Sequence, residues 1–87
     1  MKLILTPRTE KDLETLPSDI TELFRSQCAL FLVDSRDPRL HTKKLVSLAG
    51  VFSFRITREY RALFRFVDAS TVVVFAIGHR KDIYRNT

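Results

Sequence analysis

The stretch VFSFRITREYRALFRFVDASTVVVFAIGH, residues 51–79, constrains the fold more than any other part of this chain. It holds three runs rich in Phe and Val, separated by REYR and DAST, connections so short that the runs must be antiparallel neighbours. In 51–57, Phe52, Phe54 and Ile56 alternate with Ser53, Arg55 and Thr57. In 60–68, Tyr60, Ala62, Phe64 and Phe66 share one face, and Arg61, Leu63, Arg65 and Val67 the other. The third run, 71–79, is apolar almost throughout, as an inner strand would be. If the Phe faces pack inward, Arg55, Arg61 and Arg65 all project from the opposite face. An unpaired buried Arg is very costly, and few carboxylates lie nearby in sequence, so that face is expected to be wet and to bind phosphate.

The cover for the Phe face comes from the first half of the chain. KLILT (2–6) reads as a first strand. Thr6 can cap a helix and Pro7 suits its first position, having no N–H to leave unpaired, so a helix runs from there and stops before Pro17. A second helix starts at Ser18 or Asp19, with Asp19 and Glu22 at capping-box spacing. Ile20, Leu23, Phe24, Leu30 and Phe31 form its apolar stripe, with Gln27 as the polar member. Residues 34–50 read as a loop and an irregular lead-in. The expected architecture is α+β: an N-terminal strand and a two-helix hairpin packed on a mainly antiparallel sheet of about four strands, in the order β-α-α-β-β-β. One domain spans 1–87.

Charge is distributed unevenly. Residues 1–40 carry six basic and seven acidic side chains, whereas 41–87 carry nine basic and three acidic, so the net charge of +5 resides in the second half. That asymmetry points to a polyanion as partner, nucleic acid first. Cys28 stands alone, which excludes an internal disulfide, and falls at the margin of the apolar stripe as a core residue. With two His and one Cys no soft-ligand metal site can be assembled, and His41 reads as a loop residue. No Gly-rich phosphate loop is present, so no cofactor is expected. No apolar run approaches the ~20 residues of a membrane span, and MKLILTPRTEKD is too quickly charged for a signal peptide. The expected compartment is the cytoplasm.

AIGHRKDIYRN (76–86) crowds His79, Arg80, Lys81, Tyr84 and Arg85 behind the last strand, more chemistry than a strand exit needs. Together with L-x-x-L-x-G (Leu45 to Gly50) and E-Y-R-A-L-F-R (59–65), the motif I-G-H-R-K-D-I-Y-R (77–85) resembles the RelE/ParE superfamily of toxins, over essentially the whole chain. RelE-like members are endoribonucleases that cut mRNA in the ribosomal A site and are held inactive by an antitoxin. ParE-like members poison DNA gyrase. The resemblance implies a ribosome-dependent mRNA endoribonuclease that inhibits translation as the toxin of a type II toxin–antitoxin system, with a cognate antitoxin, the ribosome and A-site mRNA as partners. The alternatives are a ParE-like gyrase inhibitor and a catalytically silent RNA binder.

Carried over residue by residue, the resemblance places Arg55, Arg61, His79, Arg80 and Tyr84 in the catalytic set. Lys43, Lys44, Arg65, Lys81 and Arg85 would grip RNA. Metal-independent cleavage needs proton transfer from the 2′-OH and to the leaving 5′-oxygen, and charge stabilisation at phosphorus. Arg suits only the last of these, and His79 is the natural proton-transfer candidate, facing Arg55 and Arg61 across the sheet. Tyr84 would stack on a base or orient the phosphate. Ser53 departs from the pattern, since some RelE-like enzymes have a Lys there. Cleavage of free RNA is expected to be weak.

Overall fold

A computed structural model describes residues 1–83 of the 87. Strand β1 (Lys2–Leu5) leads into helix α1 (Pro7–Thr15), whose start follows the local signals: the Thr6 side chain accepts from the Thr9 N–H, and Pro7 opens the helix. Helix α2 (Ser18–Val33) begins directly after Pro17 with no side-chain cap. The capping box read at Asp19 and Glu22 therefore does not form; Asp19 lies inside the first turn, where its charge suits the helix dipole. A short 3-10 turn (Pro38–Leu40) and a two-residue strand β2 (Lys43–Lys44) precede β3 (Phe52–Arg55), β4 (Tyr60–Asp68) and β5 (Thr71–His79).

The sheet has five strands in the order β1-β5-β4-β3-β2. Only the β1–β5 pair is parallel. The fifth strand, β2, lies in the stretch that reads as loop, because two Lys residues carry no period to detect. Strand β5, between β1 and β4, is an inner strand as its uniform apolarity predicts.

The two helices cover one face of the sheet. Ile20, Phe24 and Phe31 of α2 bury against Phe54, Ala62, Phe64, Val72, Val74 and Ile77. The Phe31 ring stands edge-on to Phe64 at 5.1 Å and 5.9 Å from Phe54, and Phe24 stacks on Phe54 at 6.1 Å. Each such ring contributes about 1.5–3 kcal/mol by leaving water, with a further increment from the edge-on geometry. Gln27, the polar member of the stripe, is used: its amide donates to the Arg55 carbonyl at 2.7 Å and to the Arg39 carbonyl at 3.2 Å. One side chain thus ties α2 to the end of β3 and to the 3-10 turn.

The opposite face is not uniformly wet. Leu63 is fully buried there with Val51 and Ile83, and Leu45, Leu48, Phe75 and Ala76 pack around them. This second apolar cluster is built by residues 45–51 and the segment after β5 folding back over the sheet. Gly50, at φ +73°, makes the turn that brings Val51 down, a backbone conformation most residues resist.

Candidate functional site

The second cluster divides the expected Arg surface in two. On one side, Arg65 is exposed and lies over the Phe75 ring at 4.7 Å, a cation–π contact. On the other side, Arg55 and Arg61 are directly opposed across β3 and β4. Arg61 is only 7% exposed, contrary to its expected place on a wet face. Its guanidinium donates from Nη2 to the His41 carbonyl at 3.1 Å. His41 adopts a left-handed conformation, φ 46°, at the end of the 3-10 turn, and this aims its carbonyl at Arg61. The turn in turn is capped by Asp37, whose carboxylate accepts from the Arg39 backbone N–H and is gripped by the Arg39 guanidinium. Arg39 holds the Asp37 carboxyl below the usual range, chiefly through that side-chain hydrogen bond.

Arg55 is half-buried, and its Nε is enclosed with no hydrogen-bond partner. The cleft around this pair is lined by Lys43, Arg55, Arg58, Arg61, Arg80 and Lys81. Among the described residues six cations and no carboxylate line it, and the Arg55 Nε is desolvated without an acceptor. Such an arrangement suits an anion, and forked guanidinium donors match phosphate oxygens. Ser53, at the position where some RelE-like enzymes carry Lys, is fully buried beside the cleft, and its hydroxyl also lacks a partner.

Of the residues singled out from sequence, the structure brings Lys43, Arg55, Arg61, Arg80 and Lys81 together. Lys44 is opposite Phe52 and Lys43 opposite Ser53, so successive residues of β2 part to opposite faces and Lys44 sits on the helix side. Arg65 is separated from the cleft by the apolar cluster. Tyr84 and Arg85 lie outside the described residues.

His79 is a correction. It does not face Arg55 and Arg61: it pairs with Tyr60, a residue of the helix-side face, and its ring meets the Tyr60 ring edge-on at 5.6 Å. The cause is a β-bulge. Phe64 pairs with Val74 and Leu63 with Ala76, which leaves Phe75 as an extra residue in β5. Val74 and Ile77, three apart, therefore both face the helices, while Phe75 and Ala76 both face away. Every side chain beyond the bulge is turned over, and Gly78, not His79, lies opposite Arg61.

With this geometry in hand, similarity to known proteins decides the family. The model of the ParE toxin family, toxins of type II toxin–antitoxin (parDE) systems, matches residues 3–84. The chain belongs to that family. Among solved structures, the chain is 32% identical to a protein of the RelBE2 toxin–antitoxin complex from Mycobacterium tuberculosis, over 91% of this chain and 96% of that one, with a TM-score of 0.64. A YoeB/ParE toxin from Agrobacterium tumefaciens matches at 23% identity over 92% of this chain and 99% of its own, TM-score 0.70. A chain of the RelB–RelE antitoxin–toxin complex from Methanococcus jannaschii matches at 21% identity over 97% and 98%, TM-score 0.76. The last two are similar in fold. A search of curated proteins finds no significant match.

Two contributors to this family member's cleft are not evident from the sequence. Arg58 sits in the turn between β3 and β4, and only its position between Arg55 and Arg61 in the chain signals that it shares their end of the sheet. The His41 backbone carbonyl leaves no trace in a side-chain pattern at all. Among the described residues, no three His, Cys, Asp or Glu side chains gather into a metal-binding group. No described helix is long and apolar enough to cross a membrane. Burial pushes the Cys28 thiol up to about 12, as befits a core residue at the edge of the α2 stripe.

Proposed function

We propose that this chain is the toxin of a type II toxin–antitoxin pair, an endoribonuclease that cuts mRNA held on the ribosome and so inhibits translation, and that the six-cation cleft takes the RNA backbone. The observation that carries the reading is the Arg55–Arg61 pair: two opposed guanidiniums, one with a buried Nε awaiting an acceptor, with no carboxylate in the described cleft lining. In cleavage, the 2′-oxygen bonds to phosphorus as the bond to the 5′-oxygen breaks, and negative charge grows on the non-bridging oxygens. Arg61, held in place by the His41 carbonyl, and Arg55 stabilise that charge without having to reorganise. Lys43, Arg58, Arg80 and Lys81 hold the flanking phosphates.

The described lining contains no histidine, so proton transfer has no dedicated imidazole there. The rate then depends on how well the ribosome holds the 2′-OH in line with the leaving oxygen, and free RNA is cut slowly. A cognate antitoxin silences the toxin by covering the basic cleft.

A second reading, inhibition of DNA gyrase, is favoured by the ParE family match and by the displacement of His79 from the cleft. Primer extension on ribosome-bound mRNA separates the two. Discrete cuts that vanish in Arg61→Ala and Arg55→Ala support the interferase. Absence of cuts, with altered supercoiling of plasmid DNA by gyrase, overturns it in favour of the second reading.

A further inference from the structure

His79 is left without a role once it is turned away from the cleft, yet its carbonyl and its Nδ1 are both engaged. The His79 carbonyl accepts from the N–H groups of Asp82 and Ile83, both at 2.9 Å. Its Nδ1 accepts from the Lys81 N–H at 3.2 Å. The Arg80 N–H is taken by the Glu59 carbonyl at 2.6 Å. Four successive N–H groups, 80 to 83, are thereby satisfied, three of them by His79. The Nδ1 lone pair does for this turn what a Ser or Asp does for a helix start.

The turn so fixed carries Arg80 and Lys81 into the cleft on one side and Ile83 onto Leu63 on the other. The ring itself is wedged against Tyr60, with Nε2 3.7 Å from the Glu59 carboxylate. This fits the tautomer with the proton on Nε2 and the lone pair on Nδ1.

We infer that His79 is a positioning residue for the cleft: as a neutral imidazole it caps the 80–83 turn and sets Arg80 and Lys81 against the RNA backbone. The inference rests on the RNA-binding reading of the cleft. Protonation puts a second donor on Nδ1, opposite the Lys81 N–H, and opens the cap. Among the described residues, the charged and titratable groups around the ring are Glu59 and Tyr60 from the β3–β4 connection and β4, Arg8 and Asp12 from α1, and Asp82 from the turn. Adding a positive charge to this end of the molecule would by itself strengthen binding to a polyanion. A loss of affinity on acidification therefore has the opposite sign to a simple charge effect.

Three variants isolate the lone pair. His79→Asn places an amide oxygen where Nδ1 stands, without a titrating group. His79→Phe keeps a ring against Tyr60 but has no acceptor. His79→Ala has neither. The probe is a 2′-O-methyl RNA oligonucleotide, which binds but cannot be cut, followed by fluorescence anisotropy between about pH 8 and about pH 5.5. The Lys81 amide is followed by NMR over the same range, and cleavage of ribosome-bound mRNA is measured beside both.

Affinity at the upper pH should stay within about twofold in His79→Asn and drop roughly five- to tenfold in His79→Phe and His79→Ala, the scale of a lost cap. The wild type should lose affinity on acidification as its Lys81 amide shifts, while His79→Asn stays flat. Equal affinity in His79→Phe and the wild type overturns the inference, and so does an acid response shared by His79→Asn. Because anisotropy and NMR need no cleavage, a protein that binds with this pattern but never cuts RNA refutes the nuclease reading and leaves the positioning role standing.

Discussion

Arg55 is half-buried, opposed to another Arg, and its Nε has no partner, so the cleft should be a source of instability until it is filled. Arg55→Met removes the charge and keeps most of the aliphatic length. Two contributions follow. An enclosed donor without an acceptor costs about 1–3 kcal/mol. Two like charges at a representative separation of about 7 Å repel by about 0.6 kcal/mol in a water-like dielectric and about 2.4 kcal/mol at an effective dielectric of about 20. At the low end of both, the variant is about 1.6 kcal/mol more stable. At about 4–8 °C per kcal/mol for a domain of this size, its midpoint rises by at least about 6 °C.

Urea denaturation at low salt should show a higher midpoint with an unchanged slope. In about 1 M NaCl, where the screening length is about 3 Å, the repulsive share should vanish and about 1 kcal/mol remain from the desolvated donor. RNA binding should fall at the same time. A variant no more stable than the wild type at low salt refutes the argument that this pair is held against its own electrostatics. A gain untouched by salt would leave the orphaned donor as its only source.

Two further perturbations test how the cleft is supported. Gln27→Leu orphans the part-buried Arg55 carbonyl and should cost about 1–3 kcal/mol by thermal or urea denaturation, with weakened RNA binding although residue 27 does not line the cleft. Asp37 has its folded-state carboxyl lowered by Arg39, so its contribution is present above the ordinary carboxylate range and is lost only as pH falls through the lower folded value. Asp37→Ala should reduce stability at neutral pH and flatten the acid limb of the stability profile below about pH 4, read by circular dichroism.

Local chemistry made much of the fold legible. Thr6-Pro7 and Pro17 mark the helix boundaries, and the two long strands fall at 60–68 and 71–79 because alternation and turn residues act over a few positions. The opposition of Arg55 and Arg61 follows from the same alternation. What was hidden depends on distant partners. In VVVFAIGH nearly every residue is apolar, so no pattern reveals a bulge at Phe75, and strict alternation carries His79 to the wrong face. Residues 45–51 look like a lead-in until Leu45, Leu48 and Val51 are seen over Leu63. Gln27 looks like a flaw in a stripe until its two carbonyl partners are in place.

The parallel pairing of β1 with β5 also sets a timetable. Lys2 lies opposite Thr71 and Leu5 opposite Val74, so the first strand to be synthesised has no partner until the last one exists. At about 5–20 residues per second, the interval between the two is about 4–14 s of translation. Closing so long a loop also makes this pairing a late and slow step of folding. Arg80 and Lys81 follow β5 in the chain, so the cleft assembles last. A nascent copy of the chain therefore lacks its assembled cleft for those seconds, an interval in which an antitoxin already present can meet it.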